Sequence, residues 1–399
     1  YFISIAKGAD GLTALNLVMP LYSIIFSIGE MIGVGSAIRY AISKIKKDAD
    51  ADDYFWNALI WCILSSMLFV FAGIFFSADI MRVLGADEHI VAVGNNYTKI
   101  FMCFAPMFMC NYVTNAFVRN DGAPGIAMSA TLFSSLFNIV FDYILMFPMN
   151  LGMEGAALAT ALSPIIGMGI CSIHFFSKKS SVRLVVCKPS VRKLVAGCQL
   201  GVSAFVGEMS SAVITLAFNF VILKLAGNVG VAAYGVVANI AIVTTAVFNG
   251  VAQGSQPLIS SCFGRGDKDG CTQLKRMGYT TAFVLAAVMY SILFIFAGQF
   301  VAVFNSEGSE MLRLYATEGV KLYFIGIFFA GINIVGGGAF SATEDAFKAA
   351  VVSVARGFVL ILGAVFVMSA FFGMTGVWLA YAVAEGITTF IMLVMAMRV

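Results

Sequence analysis

Three stretches of this chain, Leu225 to Gly264, Met277 to Ser306 and Gly357 to Ala384, contain no Asp, Glu, Lys or Arg. A helix crosses the hydrocarbon core of a bilayer with about 20 apolar residues, and each stretch is longer than that. Charge is scarce elsewhere too: 11% of the 399 residues are charged and 60% are hydrophobic, where a soluble domain carries about 25% charged residues. So little polar surface cannot coat a water-soluble globule. A soluble enzyme, a nucleic-acid binder and a disordered chain are excluded. What remains is a polytopic membrane protein whose constant partner is the lipid bilayer.

Apolar segments separated by charged or Gly/Pro/Asn-containing breaks fall at 12–43, 54–78, 90–118, 125–147, 152–177, 192–225, 229–263, 272–304, 309–340, 347–371 and 373–397, eleven in all, after a stub ending near Ile5. Backbone polar groups in lipid must be satisfied within the segment, so these are predicted helices. Barrel strands would be shorter and would alternate apolar with polar residues. Pro20, Pro106, Pro164 and Pro257 are candidate kinks. Gly29, Gly33, Gly35 and the run Gly336 to Gly338 permit close helix approach.

The chain repeats itself. GADGLTALNLV at Gly8 to Val18 aligns without gaps to GNVGVAAYGVV at Gly227 to Val237, and the loop KKDAD at Lys46 to Asp50 aligns at the same offset to RGDKD at Arg265 to Asp269. GMEG at Gly152 to Gly155 pairs with GMTG at Gly373 to Gly376. Matches kept in order over both halves indicate duplication. The expected fold is therefore all-α, with two six-helix bundles related by a pseudo-twofold axis along the membrane normal. The N-terminal bundle is 1–177, a basic linker is 178–191, and the C-terminal bundle is 192–399. By the same alignment Tyr1 pairs with Phe220, deep in the seventh span, so the chain is expected to start near the end of its first helix. The alternative is an eleven-span protein.

Lys and Arg cluster in cytoplasmic loops. One set of loops holds Lys44, Lys46, Lys47, Arg119, the linker residues Lys178 to Lys193, and Arg265 to Arg276; the opposite set holds mainly Lys7, Arg82, Lys224 and Arg313. The first set is expected inside, and the C-terminus with it. The net charge of +3 says little about partners. The eight cysteines form no CxxC and read as buried small hydrophobes; with only His89 and His174 there is no material for a His-based metal site or a catalytic triad.

Four carboxylates lie well inside spans: Glu30, Asp142, Glu208 and Glu385. Placing a charge at the bilayer centre costs about 2.5–3.5 kcal/mol even on lenient scales, so each is a candidate functional group. Thr131, Ser134, Ser135, Asn138 and Asp142 follow helical spacing, with Asn138 and Asp142 an i,i+4 pair on one face. Such a carboxylate with amide and hydroxyl oxygens beside it suits Na⁺, and a partly desolvated carboxyl suits a proton carrier. A polar seam holding helices together is the other reading. Glu208 shares a stripe with Ser211, Thr215 and Asn219, and could take a proton or face a cationic substrate; Glu30 follows Asn16, Ser23 and Ser27 and is open to the same roles. Glu385 is a structural or functional carboxylate. Arg356, near the start of its span, is expected to snorkel to the cytoplasmic face.

The run Val251-Ala252-Gln253-Gly254-Ser255-Gln256-Pro257-Leu258, the FGRGD at Phe263 to Asp267, GADGLTALNLVMPLYS at Gly8 to Ser23, and NIVFDYILMF followed by GMEGAALATA resemble the MATE (multidrug and toxic compound extrusion) transporters, in their bacterial drug-efflux branch. The resemblance covers essentially the whole chain. It implies proton- or sodium-coupled export of organic cations. It also implies that Asn138 and Asp142 on the fifth span help bind the coupling cation, that Thr160 on the sixth takes part, and that Glu208 on the seventh is important. The family's first-span Asp would precede Tyr1.

The expected function is thus a cation-coupled antiporter, H⁺ or Na⁺, that exports small organic cations by alternating access, a monomer spanning the plasma membrane and needing no cofactor. The rival is a flippase for lipid-linked precursors, whose anionic head groups would call for several interior Lys or Arg; the interior here offers mainly carboxylates. An embedded enzyme would need a paired acid/base or metal constellation at helical spacing, and the sequence holds none.

Overall fold

A computed structural model describes residues 2–304 and 309–397; Tyr1, the proposed counterpart of Phe220, lies outside the described residues. Thirteen α-helices follow one another: α1 (Phe2–Ile45), α2 (Asp53–Val83), α3 (Glu88–Cys103), α4 (Ala105–Asn120), α5 (Pro124–Met146), α6 (Gly152–Phe175), α7 (Val191–Gly264), α8 (Lys268–Ile295), α9 (Ala297–Phe304), α10 (Glu310–Tyr323), α11 (Ile327–Ala342), α12 (Ala346–Val354) and α13 (Leu360–Met397). A 3₁₀ turn joins α10 to α11 and a π turn, Ala355–Val359, joins α12 to α13. No strand occurs among the described residues.

Among the described residues eight helical runs are long and apolar enough to cross a bilayer, and the pair α3 and α4, bent by 45°, is long and apolar enough when taken together. The bend has a cause in the sequence: Pro106 sits in the first turn of α4, where its missing N–H is harmless only if the preceding helix has already ended. Two of the eight runs each hold two crossings. α7 is broken at Gly227 (φ 61°, ψ −157°) and α13 at Gly373 (φ 58°, ψ −136°), positive φ values that L-residues with a side chain rarely adopt. The eleven segments read from the sequence are all recovered. Pro20, Pro164 and Pro257 lie inside α1, α6 and α7 without ending them.

Large apolar side chains point outward, among them Leu68 at 70% and Phe371 at 77% exposed. Such a surface belongs in lipid. Because lipid tails are as apolar as Leu, helices in a bilayer associate through close packing and polar contacts. Small residues carry that role here. Ala156, Ala157, Ala159 and Ala161 of α6 are buried, and a Cβ on Gly155 would sit 2.7 Å from the Leu145 carbonyl carbon, so α5 and α6 touch backbone to backbone. A Cβ on Gly35 would lie 2.0 Å from the Gly197 carbonyl oxygen, and one on Gly201 the same distance from that of Met31.

The chain divides into two compact units, Tyr1–Phe205 and Val206–Val399. The first takes in residues 191–205 of α7, which pack on α1 through those glycines. It also holds the linker, which has no regular structure from 180 to 190 and is tied down by acceptors of the bundle. Ser181 N–H donates to Asp121 (2.8 Å), Arg183 N–H to Asp52 (3.2 Å) and Ser190 N–H to the Asn57 side-chain oxygen (2.7 Å). The second unit is built on an aromatic core in which Phe218 stacks on Tyr234 (5.0 Å between centroids) and Tyr323 on Tyr381 (4.3 Å), around the fully buried Trp378.

Candidate cation and substrate sites

In the first unit the α5 stripe faces α4 and α6, and its members divide by what they bond. Thr131 accepts from the Asn115 amide of α4 (3.2 Å), Ser134 donates to the Ser163 carbonyl of α6 (2.6 Å), and the Asn138 amide donates to Thr160 Oγ1 (3.2 Å). Thr131 and Ser134 are thereby absorbed in helix pairing. Ser135 is exposed and stands off the seam.

Asp142, one turn beyond Asn138, is different. Its Oδ1 is buried and has no hydrogen-bond partner among the described residues. A buried acceptor left unpaired is uncommon in a folded protein and points to a group that is completed by something else, an ion or a proton. Asn138 donates through its nitrogen, so its amide oxygen stays available, as do lone pairs on Thr160. The three residues therefore present oxygens of the kind that suits a small hard cation. Two residues that the sequence reading missed belong to the same neighbourhood. The hydroxyls of Tyr22 (α1) and Tyr97 (α3) hydrogen-bond to each other, and the Asp142 carboxylate is within electrostatic range of both. A single tyrosine in a membrane segment gives no signal by itself; only the packing of three helices brings these two together with Asp142.

Glu30 is in the same unit but in a different setting. It lies within electrostatic range of the Arg119 guanidinium in the last turn of α4, so a cationic group of the protein already faces it. Ser27 of its stripe is fully buried and donates to the Ile24 carbonyl (3.0 Å).

In the second unit a cavity of about 320 Å³ is lined by Glu208, Ser211, Thr215, Tyr234, Arg356 and Glu385, among others. Glu208 has no ion-pair or hydrogen-bond partner among the described residues, and Ser211 and Thr215 of its stripe share the cavity, while Asn219 is not among the lining residues. Lys224 rests on the Phe220 ring, 4.0 Å from its centroid.

The expectation for Arg356 is overturned. Its guanidinium does not reach for the membrane surface but turns inward to Glu385, with Nη2 2.7 Å from Oε1 and Nε 3.0 Å from the same oxygen. The cause is local: the π turn carries an extra residue and swings this side chain inward. Glu385 is 2% exposed and also accepts from Asn333 Nδ2 (2.7 Å), whose oxygen in turn accepts from Thr389 (3.0 Å). Asn333 is a third residue missed, a lone amide in the apolar α11.

Comparison with known proteins follows the same lines. The MatE family profile matches residues 1–144 and 204–367. The multidrug export protein MepA of Staphylococcus aureus (strain MRSA252) is 27% identical over 399 residues, spanning 97% of this chain and 85% of its own length. MepA of Staphylococcus saprophyticus is 26% identical with the same coverage. A solved structure described as an outward-facing conformation of a multidrug resistance MATE family transporter of the MOP superfamily superposes with a TM-score of 0.91 at 20% identity, over 98% of this chain and 88% of that one. The structural likeness establishes the fold.

Proposed function

The chain belongs to the MatE family, and from that premise we propose that it is a multidrug exporter working as a cation-coupled antiporter. Its work is transport and not covalent chemistry, and such transport needs no cofactor. The coupling ion, H⁺ or Na⁺, binds at Asp142 with Asn138 and Thr160; the observation that carries this is the buried Oδ1 of Asp142, unpartnered among the described residues, beside the Asn138–Thr160 hydrogen bond. The cargo is a small organic cation, drawn by carboxylates such as Glu208. The protein acts as a monomer in the plasma membrane, with its C-terminus on the cytoplasmic side where the basic loops lie.

Coupling requires that the ion bind two conformations with different affinity, since a ligand shifts an equilibrium only by that difference. Entry of the ion at Asp142 favours a state that releases cargo outward, and its departure inward resets the transporter, the two bundles giving alternating access. The test is reconstitution into vesicles with a fluorescent organic cation, under proton and sodium gradients imposed separately. Dye movement driven by one of them is expected; if neither moves dye, the antiporter reading fails.

A further inference from the structure

The cavity of the second unit holds three charged side chains that stand in unequal relation. Glu385 and Arg356 are locked together, and both Glu385 oxygens are occupied: Arg356 Nη2 and Nε take Oε1, and Asn333 takes Oε2. The Asn333 amide is in turn held by Thr389 and by the Glu385 carbonyl (2.9 Å). A buried carboxylate so saturated cannot turn to an incoming cation without breaking a charge-assisted pair. Glu208 has no such partner. The nearby hydroxyls do not supply one, because Ser210 donates to the Gly207 carbonyl (2.9 Å) and Thr215 to that of Ser211 (2.9 Å). Tyr234, Tyr323 and Tyr381 also contribute to the wall.

The Arg356 position is built into the backbone. The π turn Ala355–Val359 is an uncommon geometry that recurs at functional sites. Within it Gly357 passes so close to α7 that a Cβ there would lie 2.6 Å from Ser210 Cβ. The turn thus sets Arg356 at the cavity edge, next to the helix that carries Glu208.

We propose that Arg356 sets the charge selectivity of this cavity: by cancelling Glu385 it leaves Glu208 as the one uncompensated charge, so the site accepts organic monocations and disfavours dications. The cavity wall carries two carboxylates and one guanidinium, a net charge of minus one when Glu208 is ionised. Its volume of about 320 Å³ is at the small end for ligand sites, enough for one cationic head. The second charge of a dication would find no counter-charge on the wall, and the like-charged Arg356 guanidinium stands there as well. This inference rests on the reading of the protein as an organic-cation exporter and names the feature by which it would choose among cations.

Ethidium and propidium test it, because they share a fluorescent ring system and differ by one added quaternary ammonium. Binding to the purified full-length protein in detergent is read by fluorescence anisotropy. The native protein is expected to bind ethidium at least about tenfold more tightly than propidium. Arg356→Gln uncovers Glu385 and is expected to erase that preference, whereas the double variant Arg356→Gln with Glu385→Gln restores the net charge and the preference with it. Ser211→Asp, at an exposed position on the lining, adds a carboxylate without touching the pair and is also expected to favour propidium by about tenfold; it keeps the test decisive if Arg356→Gln does not fold. Equal binding of the two dyes by native protein, or an unchanged ratio in Ser211→Asp, overturns the proposal. So does tight ethidium binding by Glu208→Gln. These results leave gradient-driven dye flux in vesicles untouched, so the exporter reading stands or falls separately.

Discussion

Gly152 and Gly373 occupy equivalent places in the two halves of the chain and adopt the same left-handed backbone, with φ of 52° and 58°. Each starts the sequence GM-x-G at a reversal between two helices. The adjoining glycines, Gly155 and Gly376, let the reversing helices touch: added Cβ atoms would lie 2.7 Å from the Leu145 carbonyl carbon and 2.0 Å from the Met368 carbonyl oxygen. A second pair behaves alike, since Lys47 and Gly266, aligned by the repeat, have φ of 60° and 74°. The duplication is thus one of backbone conformation as well as of letters.

Substitution of the turn glycine isolates the backbone cost. Nothing lies within 4 Å of a Cβ on Gly373, so Gly373→Ala is expected to destabilise by about 1–3 kcal/mol, the cost of holding a residue with a side chain at this positive-φ backbone. Thermal unfolding in detergent measures it.

Gly201→Val is expected to be worse. The added carbon meets the Met31 carbonyl at 2.0 Å, and backbone cannot rotate away as a side chain can. Overpacking of this kind costs typically about 1–3 kcal/mol, with more where backbone must shift. A lower melting temperature than that of Gly373→Ala is the expected result.

Asp142→Asn tests the coupling site. The variant keeps the shape of the side chain and removes its charge, so it is expected to purify with near-native thermal stability and to lose gradient-driven dye export. Thr131→Ala and Ser134→Ala, which only remove hydrogen bonds between helices, are expected to cost about 1 kcal/mol each and to retain export. Normal export by Asp142→Asn removes this residue from the mechanism.

Asp121 anchors the linker. Its side chain is 3% exposed and receives Tyr40 (3.0 Å), Ser180 (3.2 Å) and the Ser181 N–H, with His174 Nε2 at 2.8 Å. Asp121→Ala leaves these groups without an acceptor and is expected to destabilise by about 3–5 kcal/mol, as when one partner of a buried pair is removed. Faster proteolysis of the linker between 178 and 190 would accompany the lowered melting temperature.

Much of the site was open to inspection in one dimension. The Asn138 and Asp142 spacing places both on one helix face, and Thr160, which the family resemblance named, hydrogen-bonds to Asn138 in the structure. Tyr22 and Tyr97 were invisible because they stand 75 residues apart, and no periodicity within one helix reports what another helix brings to it. Arg356 shows the limit most clearly. A basic residue near a span end ordinarily snorkels, yet here a π turn re-aims it toward a carboxylate 29 residues on.

The sequence by itself determined the solvent, the helices, their breaks and their duplication. Each of these depends on local quantities: the length of apolar runs against the thickness of a bilayer, and the backbone freedom of single glycines. Tertiary structure alone decided which carboxylates are answered and which are left open. Glu385 is saturated by Arg356 and Asn333, while Asp142 keeps a buried oxygen without a partner among the described residues. Whether a buried charge is compensated depends on neighbours a few ångströms away in space, and those are chosen by how helices pack.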